Sequence, residues 1–405
     1  MSIDYIPSRL ISLVLSALLT ALPVTAQEQD DAAAAFADER LDEQSYQRAI
    51  AAIESRGGAY AAGLPESLLG LGQALQREGR HEEAIDVLRR GVHLTRINEG
   101  LYCAQQIPLL QAEIDSHKAQ RDYTEADERQ NYLYRVQMSS LQNNDGLPQA
   151  LMAQARWQFE AYQLGLEGSD RYARLMNMWE LYRMAMGDIV DREGESSPNL
   201  LPPLLGMLQT QYLISSYEIR SPAQAFGEDG RPNEALMRFN KYRAKSYQQG
   251  SAVLGTLSDI EQERAPEDAL SRARSMVMLG DWRLWNGETE GAFAAYQAAE
   301  AELAGTNDAQ AMSKMLFGEP VPLPDFEAVN TLPPAVKPEE ADILLSFNVS
   351  DRGRVRELER LDENDIDERR ASRLMRQLRN TTFRPRIEAG QPVEAEHIVK
   401  AFDIQ

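Results

Sequence analysis

Two stretches far apart in the chain repeat each other. LLGLGQALQREGRHEEAIDVLRRGVHL, residues 68–94, aligns without a gap with MVMLGDWRLWNGETEGAFAAYQAAEAE, residues 276–302. Gly72, Gly79, Ala84 and Leu88 match Gly280, Gly287, Ala292 and Tyr296, and Gly91 matches Ala299. Small residues at fixed spacing let two helices cross closely. Gly79 and Gly287 fall where a turn would need positive φ, which only Gly adopts at little cost. Leu68, Leu71 and Leu75 share one helical face, and Leu88 supplies the next helix with a core residue. A chain built this way is a series of helical hairpins, each of which must stack on a neighbour to bury its apolar face.

The pattern resembles the tetratricopeptide repeat (TPR), a helix-turn-helix unit of about 34 residues. Between the two clear copies the units degenerate. Residues 111–136 keep Ala126 at the small position but carry Arg121 at the turn. Helical apolar periods recur over 150–165, 169–190, 199–218 and 233–265, and Trp157, Trp179, Tyr182 and Tyr212 among them read as core. Residues 193–199 and 220–233 read as inter-helix loops. A stack of five to seven helical pairs fits residues 27–305. The resemblance implies a concave partner-binding face, which by position would include Leu69, Gln73, Gln76 and Arg77 in the first clear unit and Val277, Asp281, Leu284 and Trp285 in the second. GLGQAL, 70–75, imitates a dinucleotide-binding loop only partly, because no strand precedes it and the third Gly is missing.

The chain begins with a different signal. Arg9 precedes an apolar run at residues 10–24, and Val24-Thr25-Ala26 offers small residues before Gln27. This is the pattern of a secretory signal peptide, residues 1–26, cleaved after Ala26. The run is short for a membrane span, and no Cys follows it to carry a lipoprotein anchor. Export to the periplasm is the expectation; an uncleaved inner-membrane anchor is the alternative.

The net charge of −21 argues against nucleic acid, whose phosphates need clustered Lys and Arg. Cys103 is the single cysteine, so no intramolecular disulfide can form, and it reads as a small buried apolar residue. The four His residues show no metal-ligand spacing, and no nucleophile elbow or phosphate loop occurs. The expectation is a non-enzyme with no metal and no cofactor, with a cell-envelope enzyme as the remote alternative.

After residue 305 the chain becomes Pro-rich, and 306–340 reads as a semi-rigid linker with one edge strand at most. ADILLSFNVSDRGRV, 341–355, then switches to a period of two. Ile343, Leu345, Phe347 and Val349 point to one face, Asp351-Arg352-Gly353 makes a hairpin turn, and 354–361 is the return strand, with room for a bulge. Asp365 or Asp367 caps a helix over 366–380 with Ile366, Ala371, Leu374, Met375 and Leu378 on its apolar face. A turn-rich crossing leads to a last strand at 397–404.

This ββαβ order and its residues resemble the C-terminal domain of the TonB family of periplasmic energy transducers. FNVSDRGRV at 347–355, Phe383-Arg384-Pro385, Gly390-Gln391-Pro392-Val393 and Phe402 carry the likeness, over roughly the last sixth of the chain. The resemblance implies an α+β module, residues 341–405, whose last strand accepts an extended peptide of an envelope or outer-membrane protein. The accepting edge would comprise His397, Ile398, Val399, Lys400, Phe402 and Ile404; alternatively that edge pairs within the protein or with a second copy. The chain departs from the family. Its apolar run holds Ser12 and Ser16 but no His, helical repeats replace the Pro- and Lys-rich spacer, and Glu340-Ala341-Asp342 stands in place of a Gly.

Arg369, Arg373 and Arg376 run along one face of the C-terminal helix. They read either as a solvated face paired with the many Glu residues or as a dock for an acidic partner. The expectation is therefore a mainly helical repeat chain with a small C-terminal α+β module. Its function would be a periplasmic adaptor for protein partners. The alternative is a membrane-anchored transducer serving outer-membrane transport.

Overall fold

A computed structural model describes residues 43–142, 144–166, 171–218, 233–326, 329, 332–362 and 367–404. Residues 1–42, including the leader-like run, lie outside the described residues, as do Asp365 and Ile366. The chain forms two compact units. One runs to Leu101 and adds Pro108–Arg121; the other comprises Tyr102–Ile107 and Asp122–Gln405.

In the first unit, helix α1 (43–57) precedes α2 (Leu64–Arg77), α3 (His81–Glu99) and the body of α4 (Ile107–Ala119). The α2–α3 turn is made as the sequence requires. Gly79 has φ +74°, its N–H bonds to the Gln76 carbonyl at 3.0 Å, and Arg80 N–H reaches Leu75 at 2.9 Å. These bonds close the carbonyls that a helix end leaves open. A Cβ on Gly72 would lie 2.6 Å from Leu88, and one on Gly91 2.6 Å from Leu109, so these glycines set how closely the helices approach. Leu64, Leu68, Ala84, Leu88 and Leu110 fill the space between them.

The second unit holds further helices: α5 (Tyr123–Ser140), α6 (Leu147–Leu164), α7 (Tyr172–Glu193), α8 (Leu201–Ser216), α9 (Glu234–Arg243), α10 (Ser246–Arg264), α11 (Ala269–Trp285), α12 (Thr289–Leu303) and α13 (Ala309–Phe317). The α11–α12 turn repeats the α2–α3 bonds. Gly287, at φ +84°, donates to Leu284 at 3.1 Å, and Glu288 N–H donates to Arg283 at 2.9 Å. At Arg121 the positive φ survives without the glycine, at +60°, so a long side chain is held in a conformation that costs it about 1–2 kcal/mol.

A second use of glycine emerges here. Cβ atoms on Gly206, Gly250 and Gly280 would lie 2.3, 2.4 and 2.3 Å from the rings of Tyr182, Trp282 and Tyr296. Each glycine leaves a flat notch that an aromatic ring of a neighbouring helix fills. Trp282 is fully buried and donates from Nε1 to the Tyr247 carbonyl at 3.1 Å, which satisfies the one polar atom of that ring. Asp127 on α5 accepts from Arg174 of α7 at 3.0 and 2.8 Å and from Trp157 of α6 at 2.7 Å.

The C-terminal elements form a three-stranded antiparallel sheet in the order β3–β2–β7, from β2 (Ile343–Val349), β3 (Val355–Arg360) and β7 (Ala395–Phe402). Helix α14 (Glu368–Asn380) supplies Ala371, Leu374 and Leu378 against Ile343, Leu345, Phe347, Val349 and Phe402. Asp367 caps the helix, accepting from Arg369 N–H at 2.9 Å. In the hairpin turn Gly353 has φ +71°, and a Cβ there would lie 1.9 Å from the Phe383 carbonyl. The glycine is therefore required by a close approach as well as by the turn.

Both neighbours of β2 shift register around Asn348. Glu357 in β3 and His397 in β7 have φ of +50° and +53°. The Asn348 side chain serves both irregularities, donating to Glu357 Oε2 at 2.8 Å and accepting from His397 N–H at 2.9 Å. The bulge expected in the return strand is thus one of a pair.

The described residues of 306–340 pack against the helices and strands rather than forming the linker expected. Helix α13 occupies 309–317, and β1 (Val321–Pro322) pairs with β4 (Phe383–Arg384). Leu323 is buried with α11, α12 and Ile387, while Phe326 and Val329 pack into the core shared by α6 to α11. The proline residues shape extended segments that bury their apolar neighbours, so the α+β elements are not a module hung on a tether but part of the same compact unit. The crossing after α14 also has structure. β5 (Arg386–Glu388) and β6 (Gln391–Val393) form a hairpin whose loop residues Ala389 and Gly390 both have positive φ, as a two-residue primed turn requires.

Candidate functional site

Strand β7 is an edge strand of its sheet. Its inner side pairs with β2 from Ile343↔Phe402 to Phe347↔Ile398. Its outer side is occupied at one end. Ala335 bridges to Phe402, and Val336 N–H donates to the Ala401 carbonyl at 2.9 Å. In an antiparallel pair the backbone groups of alternate residues face the same side. Since Ala401 faces outward, Val399 does too, and no backbone among the described residues pairs with it there. Val399 is 50% exposed.

The candidate edge is therefore shorter than 397–404. His397, Ile398, Val399 and Lys400 line the open part. Phe402 is buried in the sheet core and its outer side is bridged. Ile404 lies past the strand, where its N–H donates to Asp342 at 2.9 Å and its carbonyl accepts from Arg370 at 3.3 Å. Pairing within the protein thus holds for the C-terminal end of the edge. The bulge at His397 sets where regular pairing stops at the other end.

Arg369, Arg373 and Arg376 are all exposed on α14. Among the described residues, no carboxylate lies within ion-pair distance of any of the three. The described acids nearest to them are used elsewhere, with Glu368 and Asp362 on Arg360 at 3.1 and 2.7 Å. A basic surface in a chain of net charge −21 is left to solvent.

The inferred concave positions fare differently in the two repeats. Gln73 and Arg77 are exposed and Leu69 is half-buried. Gln76 turns inward, donating to the Ala112 carbonyl and the Ser116 hydroxyl at 2.6 and 2.7 Å. Val277, Asp281 and Leu284 are buried, and Trp285 donates to Ser215 at 2.9 Å. They offer no open face. α8, α10 and β4 lie against that side of α11, so it serves folding.

Asp281 is the clearest case. Its Oδ2 accepts from Arg384 Nη1 at 2.7 Å and its Oδ1 from the Tyr296 hydroxyl at 2.8 Å. Arg384 Nη2 reaches Asp325, at 3.2 Å. Burial pushes the Asp281 carboxyl up to about 6, against the pull of Arg384. Burial also works against the Arg384 charge, but Asp281 and Asp325 outweigh it and hold its pKa above the usual value. Both residues stand out in the sequence, one as a surface position and one as part of a motif. Nothing in the sequence pairs them, since they lie 103 residues apart.

No family model matches the chain, and no curated protein matches it. Solved structures do. BtubC (BKLC) from P. vanneervenii aligns at 13% identity over 67% of this chain and 90% of its own, with a TM-score of 0.36. The nearly identical TPR-like repeats of a Podosopora anserina kinesin-light-chain candidate align at 15% identity over 60% and 97%, with a TM-score of 0.37. A point variant of those repeats gives 16% over 59% and 94%, with a TM-score of 0.33.

Proposed function

We propose that this chain is a non-enzymatic adaptor of the cell envelope that captures an extended segment of a partner protein on the outer edge of β7. The observation that carries this reading is the half-used edge. The chain lays its own Ala335–Val336 along the C-terminal end of β7 and leaves the backbone at Val399 unpaired among the described residues. An exposed edge of this kind adds a strand readily, with main-chain bonds giving affinity and alternate side chains giving selectivity. The TonB-like order of strands and helix supports the same use. The exposed Arg369, Arg373 and Arg376 favour a partner that is acidic next to its paired segment. Export rests on the run at residues 10–24 and Val24-Thr25-Ala26.

A photo-crosslinking amino acid at Val399, in the cell that makes the protein, tests the reading. The expected result is an adduct with one partner, mapped to a contiguous extended segment, together with a mature chain beginning at Gln27. Scattered adducts, or none above those formed from an exposed helix site such as Gln73, would overturn it.

A further inference from the structure

A cavity of about 310 Å³ lies within the second unit, between α8, α11, the 323–326 segment and β4, and no residue of β7 lines it. Its walls are apolar: Leu208, Val277, Met278 and Phe326. Its polar groups are Tyr212, Arg274, Asp281, Asp325 and Arg384. Most small-ligand sites share this plan of apolar walls with a few convergent polar groups. The volume is at the lower end of the roughly 300–1,000 Å³ of such sites, which suits a molecule about the size of a substituted benzene ring.

The charges of the lining balance. Asp281 and Arg384 form a buried ion pair at 2.7 Å. Arg274 and Asp325, both exposed, add one charge of each sign. A charged ligand would meet no excess of the opposite sign, and taking its charge out of water is costly.

The hydrogen-bonding capacity does not balance. Both Asp281 oxygens are used, by Tyr296 and by Arg384. Two donors are not. Arg384 is 5% exposed, and its Nε is buried with no partner among the described residues, although buried polar groups are nearly always bonded. Tyr212 is 2% exposed, and its hydroxyl likewise bonds to no described group. Trp282 and Trp285 hold the Tyr212 ring edge to face, at 4.8 and 5.5 Å between centroids, so packing fixes where that hydroxyl sits.

We infer that this cavity binds a small neutral carbonyl compound, a ketone or an amide, whose oxygen accepts from Arg384 Nε and the Tyr212 hydroxyl and whose apolar body lies along Leu208, Val277 and Phe326. A carbonyl oxygen has two lone pairs and can take both donors at once. A carboxylate could take them too, but would bring a third negative charge beside Asp281 and Asp325. An ammonium group would offer these two donors only further donors.

Calorimetric titration of the full chain at neutral pH separates the possibilities. The probes, of similar size, are the ketone acetophenone, the anion benzoate, the cation benzamidinium and the hydrocarbon toluene. Acetophenone should saturate the protein below about 10 mM, with both ions at least about tenfold weaker. Tyr212→Phe should weaken acetophenone about three- to tenfold, the loss of one neutral hydrogen bond, and leave toluene binding unchanged; circular dichroism checks that the variant folds. In the isotope-labelled wild type, the Arg384 Nε–H resonance should move on saturation with acetophenone and not with toluene. This measurement needs no substitution, so it decides the matter even if Tyr212→Phe fails to fold. No saturation by acetophenone, benzoate or benzamidinium binding as tightly as the ketone, undiminished acetophenone binding by folded Tyr212→Phe, or an Arg384 Nε–H resonance that the ketone leaves in place would each overturn the inference.

Discussion

Replacing Arg384 by Met should leave Asp281 as a buried carboxylate whose only described partner is the Tyr296 hydroxyl. The magnitude follows from the two ion pairs. Asp325 is more than half exposed, and its pair with Arg384, at 3.2 Å, contributes at most about 1 kcal/mol. Asp281 is 3% exposed and its pair is 2.7 Å long. Breaking a buried pair from one side costs about 3–5 kcal/mol, because the remaining charge stays desolvated. Replacing both partners together, as Asp281→Leu with Arg384→Met, removes that stranded charge and should recover most of the loss. The assay is urea unfolding followed by intrinsic fluorescence. All four tryptophans, Trp157, Trp179, Trp282 and Trp285, lie in the second unit, so the signal reports that unit alone. The single substitution should cost less at pH 5 than at pH 7.5, since the stranded Asp281 takes up a proton. A cost below about 1 kcal/mol for Arg384→Met, or a double variant worse than the single one, would refute the reasoning.

Five other substitutions act at particular positions. Burial raises the folded pKa of Asp281 from 3.8 to about 6, so the folded chain binds more protons between those values. The Asp281 contribution to stability is therefore present below about pH 4, is lost as the pH rises to about 6, and is flat above. Asp281→Asn should gain on the wild type across that window by at most about 3 kcal/mol; a gap constant from pH 4 to 7 would contradict the sign. Gly280→Ala places a methyl 2.3 Å from the Tyr296 ring and should cost about 1–3 kcal/mol. Gly255→Ala meets nothing within 4 Å and should stabilise by about 0.5–1 kcal/mol, both read by the same unfolding curves. Arg121→Gly should stabilise by about 1 kcal/mol, because φ of +60° is then unstrained; circular dichroism melting detects it. Asn348→Ala removes the partner of both bulges and should cost about 1–3 kcal/mol, with faster amide exchange at His397.

The repeats are legible in the sequence because spacing is a local property. Gly72 and Leu88, or Gly280 and Tyr296, sit within one hairpin, and the turn glycines announce themselves by position. The hairpin at 343–360 and the cap at Asp367 are legible for the same reason. The packing of 306–340 is not. A Pro-rich segment reads as extended whether it crosses solvent or lies in a groove, and only the apolar residues between the prolines, Leu323, Phe326 and Val329, hint at burial. The inferred concave face fails at Val277, Asp281 and Leu284 because it requires that nothing else cover α11. β4 does cover it, and the Arg384–Asp281 pair that fixes β4 there spans a separation no periodicity can report. The glycine–ring notches at Gly206 and Gly250 escape a sequence reading because their partners, Tyr182 and Trp282, lie on other helices at irregular distances.

Backbone pairing at Val399 is the core of the adaptor reading, and two substitutions at that position isolate it. Val399→Pro removes the outward N–H, whereas Val399→Thr keeps it and changes only the side chain. Capture of the partner identified by crosslinking at this position should be measured for both variants in solution. Thr is expected to bind like the wild type and Pro at least about tenfold more weakly, a loss of about 1.4 kcal/mol, while both keep the wild-type fluorescence and unfolding midpoint. Full binding by a folded Val399→Pro protein would contradict strand addition at this edge.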